Sequence, residues 1–159
     1  RNKDLGARLI INLEKLYLSL KKLELKDSPI DEYYKLSHDL GIAQKEMNKL
    51  QNKLFGIECN FEELNGIDFK KGCYVGQENT ARIKLKNKLS KRLLAIQLIS
   101  GKLTEGDSIY ANDIEIGKVL INDEYPFALI KYLDENFKKD SELKSENAIL
   151  RIKIPNWIQ

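Results

Sequence analysis

The stretch Lys71-Gly72-Cys73-Tyr74-Val75-Gly76-Gln77-Glu78 places a cysteine between two glycines, near the middle of the chain. Lys70 and Lys71 precede this cysteine, and residues 76–87 follow a pattern typical of a helix. Nearby cations and a helix N-terminus both stabilise a thiolate, and glycine permits positive φ and close backbone approach. The stretch therefore predicts a reactive Cys73 at a helix start. The competing interpretation is a small buried thiol in a tight turn.

The same stretch, followed by Ala81-Arg82, resembles the signature of the YgfZ-type folate-binding proteins, which are related to the glycine-cleavage T-protein, an aminomethyltransferase. The lead-in at residues 62–70 and the exit at Lys91-Arg92-Leu93 are also similar to that family. The resemblance implies an α+β chain. Residues 1–90 would be the C-terminal portion of a T-protein-like folate-binding α/β domain, and residues 91–159 a small β-barrel.

The resemblance also implies a set of site residues and a cofactor. Cys73 would be the catalytic thiol, and tetrahydrofolate would be the cofactor, with no metal. The residues that support the motif would be Lys71, Gly72, Tyr74, Gly76, Gln77 and Glu78. The residues that contact folate would be Glu58, Lys70 and Arg82. For Glu58 the physical reason is that a carboxylate can accept two bonds from the paired N–H donors of a pterin edge; the competing interpretation is a surface glutamate.

The implied function is a tetrahydrofolate-binding accessory protein for iron–sulfur cluster assembly or repair, which indirectly supports tRNA-modifying enzymes. Its partners would be folate and the cluster assembly machinery or its client enzymes. An aminomethyltransferase is the first alternative, although such an enzyme does not depend on a cysteine motif. An RNA-binding module is the second, but Tyr74 is the only aromatic residue between Lys70 and Arg92 available for base stacking.

Composition limits the class of protein. A hydrophobic content of 42% and a charged content of 32% are ordinary for a globular chain, and no apolar run approaches the roughly 20 residues of a membrane helix. Two cysteines, Cys59 and Cys73, are too few for a disulfide framework, and Cys59 is interpreted as a packing residue. We therefore expect a reducing, cytoplasmic location without membrane contact. Because the chain begins with Arg1 and its only methionine is Met47, we also expect a fragment of a longer protein.

Basic residues are concentrated around the motif. Eight of them lie between Lys70 and Arg92, against the single acid Glu78, whereas the formal net charge of the whole chain is +3. A concentrated positive patch attracts anions such as a polyglutamyl folate tail, a phosphate or RNA. The competing interpretation is a solvated helix face.

The segment before the motif shows mainly helical patterns. Residues 6–11 predict a short strand, and the apolar spacing from Leu13 to Leu23 predicts an amphipathic, core-facing helix. A third element, a helix, is predicted from Ser28-Pro29 to Leu40, ending at Gly41. The only histidine, His38, lies on it and is interpreted as structural. Residues 44–54 predict a further helix.

After Arg92 the pattern changes to short strands separated by turns. The predicted strands cover residues 93–99, 108–111, 114–121, 127–132 and 148–154. Residues 134–146 are predicted as a charged loop or short helix. Regular short strands of this kind favour a small barrel or sandwich, which agrees with the barrel that the family resemblance implies.

Overall fold

The computed structural model describes residues 2–72, 77–85 and 89–158. Within these ranges the architecture is α+β. Helices precede the strands: α1 (Leu13–Lys22), α2 (Ile30–Asp39) and α3 (Gln77–Leu85), with short 3₁₀ turns at Lys3–Leu5 and Met47–Leu50. The strands are β1 (Lys91–Gly101), β2 (Ser108–Ala111), β3 (Ile114–Ile121), β4 (Phe127–Lys131), β5 (Leu143–Ser145) and β6 (Ala148–Lys153).

The six strands close into an antiparallel barrel in the order β1-β4-β3-β2-β5-β6. Alternate residues of each strand point inward, as the two-residue period of a strand requires. Leu94, Ile109, Ile116, Ile130 and Leu150 are all fully buried in this interior. The barrel predicted after Arg92 is therefore confirmed.

A two-residue turn and a glycine inside a strand allow so small a barrel to close. Asn112 and Asp113 both adopt positive φ, at 49° and 64°, which suits the tight two-residue connection between β2 and β3. Gly117 lies where β3 approaches β4 closely: a Cβ placed there would sit 2.7 Å from the carbonyl oxygen of Leu129. Glycine at this position permits the close approach of the two strands.

The outer face of the barrel is covered on one side by the preceding segment. β1 is buried continuously from Arg92 to Ile96, so both of its faces are covered. Leu93 and Ala95 point outward and form a second apolar cluster with Leu50, Ile121 and Phe127. The residues before the barrel thus share a core with its outer surface.

Helix α2 contacts the barrel through its C-terminal end. The His38 ring meets the Phe127 ring edge to face at 5.3 Å, and its Nε2 lies 3.2 Å from the carbonyl oxygen of Pro126. The Trp157 indole donates to the Leu40 carbonyl at 2.8 Å. Gly41, with φ of +72°, ends the helix as predicted. The structural interpretation of His38 is confirmed, and Trp157 joins the chain's end to α2.

Four predictions about local structure were wrong. Helix α1 forms, but none of its residues is buried, so it is not core-facing. The strand predicted at residues 6–11 does not form, and Ile10 is 93% exposed. Residues 44–54 contain only a 3₁₀ turn, because Glu46 and Asn52 adopt left-handed φ, which a right-handed helix cannot continue. Strand β5 lies inside the predicted loop at 134–146.

No helix within the described ranges is both long and apolar enough to cross a membrane.

Candidate functional site

The structure describes the residues on either side of the motif's centre, up to Gly72 and from Gln77 onward. Cys73, Tyr74 and Gly76 lie outside the described residues, so their predicted roles stay predictions. On one side, the Lys70 amide donates to Asp68 Oδ1 at 2.8 Å, which fixes a turn just before the motif. On the other side, α3 covers Gln77–Leu85, within the helix predicted over residues 76–87, and the remaining positions of that prediction lie outside the described residues. The role of the Gln77 side chain also stays a prediction.

Gly72 does not use the conformational freedom that the sequence suggested for it. Its φ is not positive, and a Cβ placed there would meet no described atom within 4 Å. Neither the backbone conformation nor a neighbouring described residue therefore requires glycine at this position. A close approach by a ligand stays a prediction for Gly72.

Helix α3 carries two of the predicted charged residues, and they pair with each other. Arg82 Nη2 lies 2.6 Å from Glu78 Oε1, one helical turn away, and both side chains are exposed. Glu78 thus contacts a cation of its own helix. The hydrogen bonds to backbone donors at the helix start that the resemblance implies for Gln77 and Glu78 stay a prediction, because residues 73–76 lie outside the described residues. Because an exposed pair of this kind contributes little to stability, Arg82 can exchange Glu78 for an anionic ligand at small cost.

In the folded chain, acidic residues from outside residues 70–92 offset part of the positive charge of this basic region. Among the described residues, ion pairs are formed at least by Arg82 with Glu78, Lys84 with Glu62, and Arg92 with Glu63. Glu62 and Glu63 lie outside the sequence window in which the charges were counted. Lys86 and Lys88 lie outside the described residues.

Glu58 lies in a turn close to β1. Its Oε2 accepts from the Phe55 amide at 3.0 Å, and its carbonyl oxygen accepts from the Leu93 amide at 2.8 Å. Accepting both N–H donors of a pterin edge would use both oxygens of the Glu58 carboxylate. Oε2 accepts one bond in this conformation, and because a carboxylate has about four lone-pair sites, the bond from the Phe55 amide does not by itself exclude a pterin.

Cys59 is a packing residue, as the sequence indicated. It is half-buried and contacts the outer apolar cluster of the barrel. Burial, together with the negative charge of the neighbouring Glu58, raises the pKa of the Cys59 thiol to about 11. Cys59 is therefore protonated at neutral pH and a poor nucleophile.

A cavity of about 370 Å³ lies beside Cys59, and it was not predicted from the sequence. Its walls come largely from the turn-rich segments around residues 41–47 and 59–66, where the helix predicted over residues 44–54 does not form. The lining is mostly apolar with several side-chain amides: Asn2, Leu5, Gly41, Ile42, Ala43, Gln44, Met47, Cys59, Asn60, Phe61, Leu64, Asn65, Gly66 and Leu93. Glu58 is not among these residues.

Arg92 and Asn60 form a buried polar network that sequence reasoning missed. Arg92 Nη1 donates to Asn60 Oδ1 at 2.9 Å and lies 2.6 Å from Glu63 Oε1. Asn60 Nδ2 donates to the Leu93 carbonyl at 2.8 Å. One signal in the sequence could have predicted this network. Arg92 stands directly before the apolar run of β1, and an arginine next to a buried strand needs polar partners because it is rarely buried without them. The network ties the segment before the motif to the barrel.

Among the described residues, no group of three or more His, Cys, Asp or Glu side chains is placed to hold a metal ion. Cys73 is outside that search.

The known proteins that are similar to this chain share one name. No family model matches the chain. A protein of Dictyostelium discoideum named "Iron-sulfur cluster assembly factor IBA57 homolog, mitochondrial" is 36% identical over 112 residues, covering 69% of this chain and 27% of the relative. Proteins with the same name are 27% identical over 169 residues in Yarrowia lipolytica, covering 96% of this chain and 34% of the relative, and 35% identical over 89 residues in Neurospora crassa, covering 56% and 20%.

The chain thus spans about a third or less of the length of these relatives. Their shared name concerns iron–sulfur cluster assembly, which agrees with the coarse functional expectation from the motif. Their names also contradict the cytoplasmic location expected from composition, because they describe mitochondrial proteins. Composition and cysteine number were poor guides, since both describe any reducing compartment.

Proposed function

We propose that this chain is part of an accessory protein for iron–sulfur cluster assembly or repair, of the YgfZ type, in which Cys73 is the reactive thiol. The observation that carries the proposal is the agreement between two features of the sequence. One is the motif at residues 71–78. The other is the shared name of relatives that align over as much as 96% of this chain. The same names favour a mitochondrial location.

The described surroundings of the motif support a thiol with a lowered pKa. Lys70 and Lys71 precede Cys73 and α3 begins at Gln77, so cations and a helix start bracket the thiol in sequence. Both features favour the thiolate form. A thiolate can exchange with disulfides, hold sulfur as a persulfide, or ligate iron transiently. A single cysteine does not hold a stable cluster alone, since clusters take four ligands, so such a cluster would need partner ligands.

The contrast between the two cysteines supports the assignment of chemistry to Cys73. Cys59 is half-buried beside Glu58, and its pKa of about 11 keeps it neutral. It therefore offers little reactive thiolate at neutral pH. Cys59 also provides a matched control, because replacing it removes a thiol without touching the motif.

The test of this proposal replaces single cysteines in the gene at its own locus. Cells with Cys73→Ala should lose the activity of iron–sulfur enzymes such as aconitase under oxidative stress, whereas cells with Cys59→Ala should keep it. Protein abundance is measured in both strains. Full aconitase activity in the Cys73→Ala strain, at normal abundance, would contradict the role of the thiol.

Tetrahydrofolate is a separate part of the proposal, with Glu58, Lys70 and Arg82 as its contacts. Glu58 has further acceptor sites beside its bond to the Phe55 amide, and the Arg82 guanidinium has several N–H donors, of which Nη2 contacts Glu78. Calorimetric titration with tetrahydrofolate tests the contact: Glu58→Gln should weaken binding, whereas the exposed control Glu142→Gln should not. Equal affinities would remove Glu58 from the proposed site.

A further inference from the structure

Two hydrogen bonds join the turn at Glu58 to a single residue of β1. The Leu93 amide donates to the Glu58 carbonyl oxygen at 2.8 Å, and the Leu93 carbonyl oxygen accepts from Asn60 Nδ2 at 2.8 Å. These bonds take the edge of β1 that β6 covers only from Ala95 onward. Residues 58–60 are therefore fixed to the strand at both of their ends.

The side chain of Asn60 is fixed in its turn by its backbone conformation and its partners. Asn60 is 2% exposed and has φ of +61°, a left-handed conformation that asparagine adopts more readily than most residues. Its Oδ1 accepts from Arg92 Nη1 at 2.9 Å, and the same nitrogen lies 2.6 Å from Glu63 Oε1. Because the carboxamide is bonded through both its oxygen and its nitrogen, these partners select one orientation for it.

The carboxylate of Glu58 is oriented by the turn that these contacts hold. The Glu58 amide donates to the Phe55 carbonyl oxygen at 2.9 Å, and Glu58 Oε2 accepts from the Phe55 amide at 3.0 Å. Phe55 and Glu58 are thus joined by a reciprocal pair of bonds. Since a carboxylate has about four lone-pair sites, this pair orients the carboxylate and leaves acceptor sites for a ligand.

We propose that Asn60 and Arg92 are positioning residues, which hold the Glu58 carboxylate in the orientation that accepts the paired N–H donors of a pterin edge. The inference rests on the proposed contact between Glu58 and tetrahydrofolate. It extends that contact to two buried side chains that reach Glu58 only through Leu93 and the turn. An acceptor that is already oriented loses less conformational freedom on binding, so affinity rises.

The test variant is Asn60→Gly, because glycine adopts positive φ without strain and the change removes both side-chain bonds. Asn52→Gly is the matched control, since Asn52 has φ of +60° but is exposed. Calorimetric titration with tetrahydrofolate should show an affinity about three- to tenfold weaker for Asn60→Gly, the usual effect of a lost hydrogen bond. The affinity of Asn52→Gly should be unchanged.

A double-mutant cycle with Glu58→Ala separates positioning from an independent effect of Asn60 on binding. If Asn60 acts through the Glu58 carboxylate, Asn60→Gly should weaken binding little further once that carboxylate is absent. Additive losses in the double variant would overturn the proposal, because they would show that Asn60 acts without Glu58. Circular dichroism establishes that each variant is folded.

A second measurement needs no folate. Amide hydrogen exchange followed by NMR should show the Phe55 amide exchanging at least about threefold faster in Asn60→Gly than in Asn52→Gly, because the turn opens more often. Arg92→Lys keeps the positive charge opposite Glu63 but loses the guanidinium fork. It should shift both measurements in the same direction by a smaller amount, and it serves as the test variant if Asn60→Gly does not fold.

Unchanged exchange of the Phe55 amide in both variants would overturn the proposal. The failure of the proposed function has a different signature. A wild-type protein that does not bind tetrahydrofolate, together with faster exchange in Asn60→Gly, would reject the folate contact and retain the fixing of Glu58 by Asn60.

Discussion

At the scale of single residues, the sequence predicted different roles for the two cysteines. The interpretation of Cys59 as a packing residue is confirmed, because its side chain is half-buried and the pKa of its thiol is raised. The cause could not be found from sequence, because it depends on how the turn at residues 55–60 folds against β1. The role of Cys73 stays a prediction.

The raised pKa of Cys59 predicts a loss of stability at alkaline pH. The folded state keeps this thiol neutral up to about pH 11, whereas the unfolded chain ionises near the ordinary value of 9.0. The unfolded state therefore loses a proton first as the pH rises, and the free energy of unfolding falls between these values. Urea denaturation at several pH values should show this fall in the wild type. A Cys59→Ala protein with the same alkaline slope would contradict the assignment.

Because of the buried His38, we expect the free energy of unfolding to fall at acid pH. Burial is the main cause that lowers the pKa of His38 below 6.5, with a smaller contribution from Lys153. As the pH falls through 6.5, the unfolded chain binds a proton that the folded state does not, so stability decreases. His38→Gln should flatten the dependence of the urea midpoint on pH around and below 6.5. An unchanged acid slope in this variant would place the titration on other groups.

Gly117 predicts a steric effect. A methyl group there would lie 2.7 Å from the Leu129 carbonyl oxygen and close to the Ile130 side chain. Gly117→Ala should therefore lower the free energy of unfolding by about 1–3 kcal/mol, as overpacking does. Gly72→Ala is the matched control, because the same methyl group would meet no described atom within 4 Å. Equal stabilities of the two variants would show that β3 can move away from β4.

At the scale of elements, the strands were predictable and the packing of the helices was not. Short apolar runs from Leu93 onward, separated by turn residues, identified five of the six strands. β5 has only three residues, too few for a period to show. Helix α1 was predicted correctly as a helix and wrongly as core-facing, since the same amphipathic spacing serves a core or an exposed apolar face.

The position of α1 predicts tolerance to truncation of its apolar side chains. Leu13 is 79% exposed, so Leu13→Ala should change the free energy of unfolding by less than about 0.5 kcal/mol. Leu94 is fully buried inside the barrel, and Leu94→Ala should cost about 2–5 kcal/mol. Chemical denaturation of both variants measures the difference. A large loss in Leu13→Ala would show that α1 is covered in solution.

At the scale of the whole molecule, the barrel and the segment before it share apolar cores and polar contacts. Leu93, Ala95 and Phe127 face the preceding segment from the outside of the barrel, and Arg92 bonds to Asn60 and Glu63 of that segment. These contacts join residues far apart in sequence, so sequence patterns could not predict them. The division into residues 1–90 and 91–159 stays a prediction.

The candidate site is predictable from sequence to the extent that a motif carries it. The motif at residues 71–78 and the relatives named for iron–sulfur cluster assembly indicate the same process. The contacts of Lys84, Arg92 and Glu58 became visible only in the fold, since each depends on a partner in another element.

The measurement that tests the central claim most directly is the ratio of aconitase activity to malate dehydrogenase activity, which needs no cluster, in strains with Cys73→Ala or Cys59→Ala at the native locus. Both strains are grown under oxidative stress, with protein abundance matched. The account predicts a reduced ratio in the Cys73→Ala strain and a wild-type ratio in the Cys59→Ala strain. A wild-type ratio in both would contradict it.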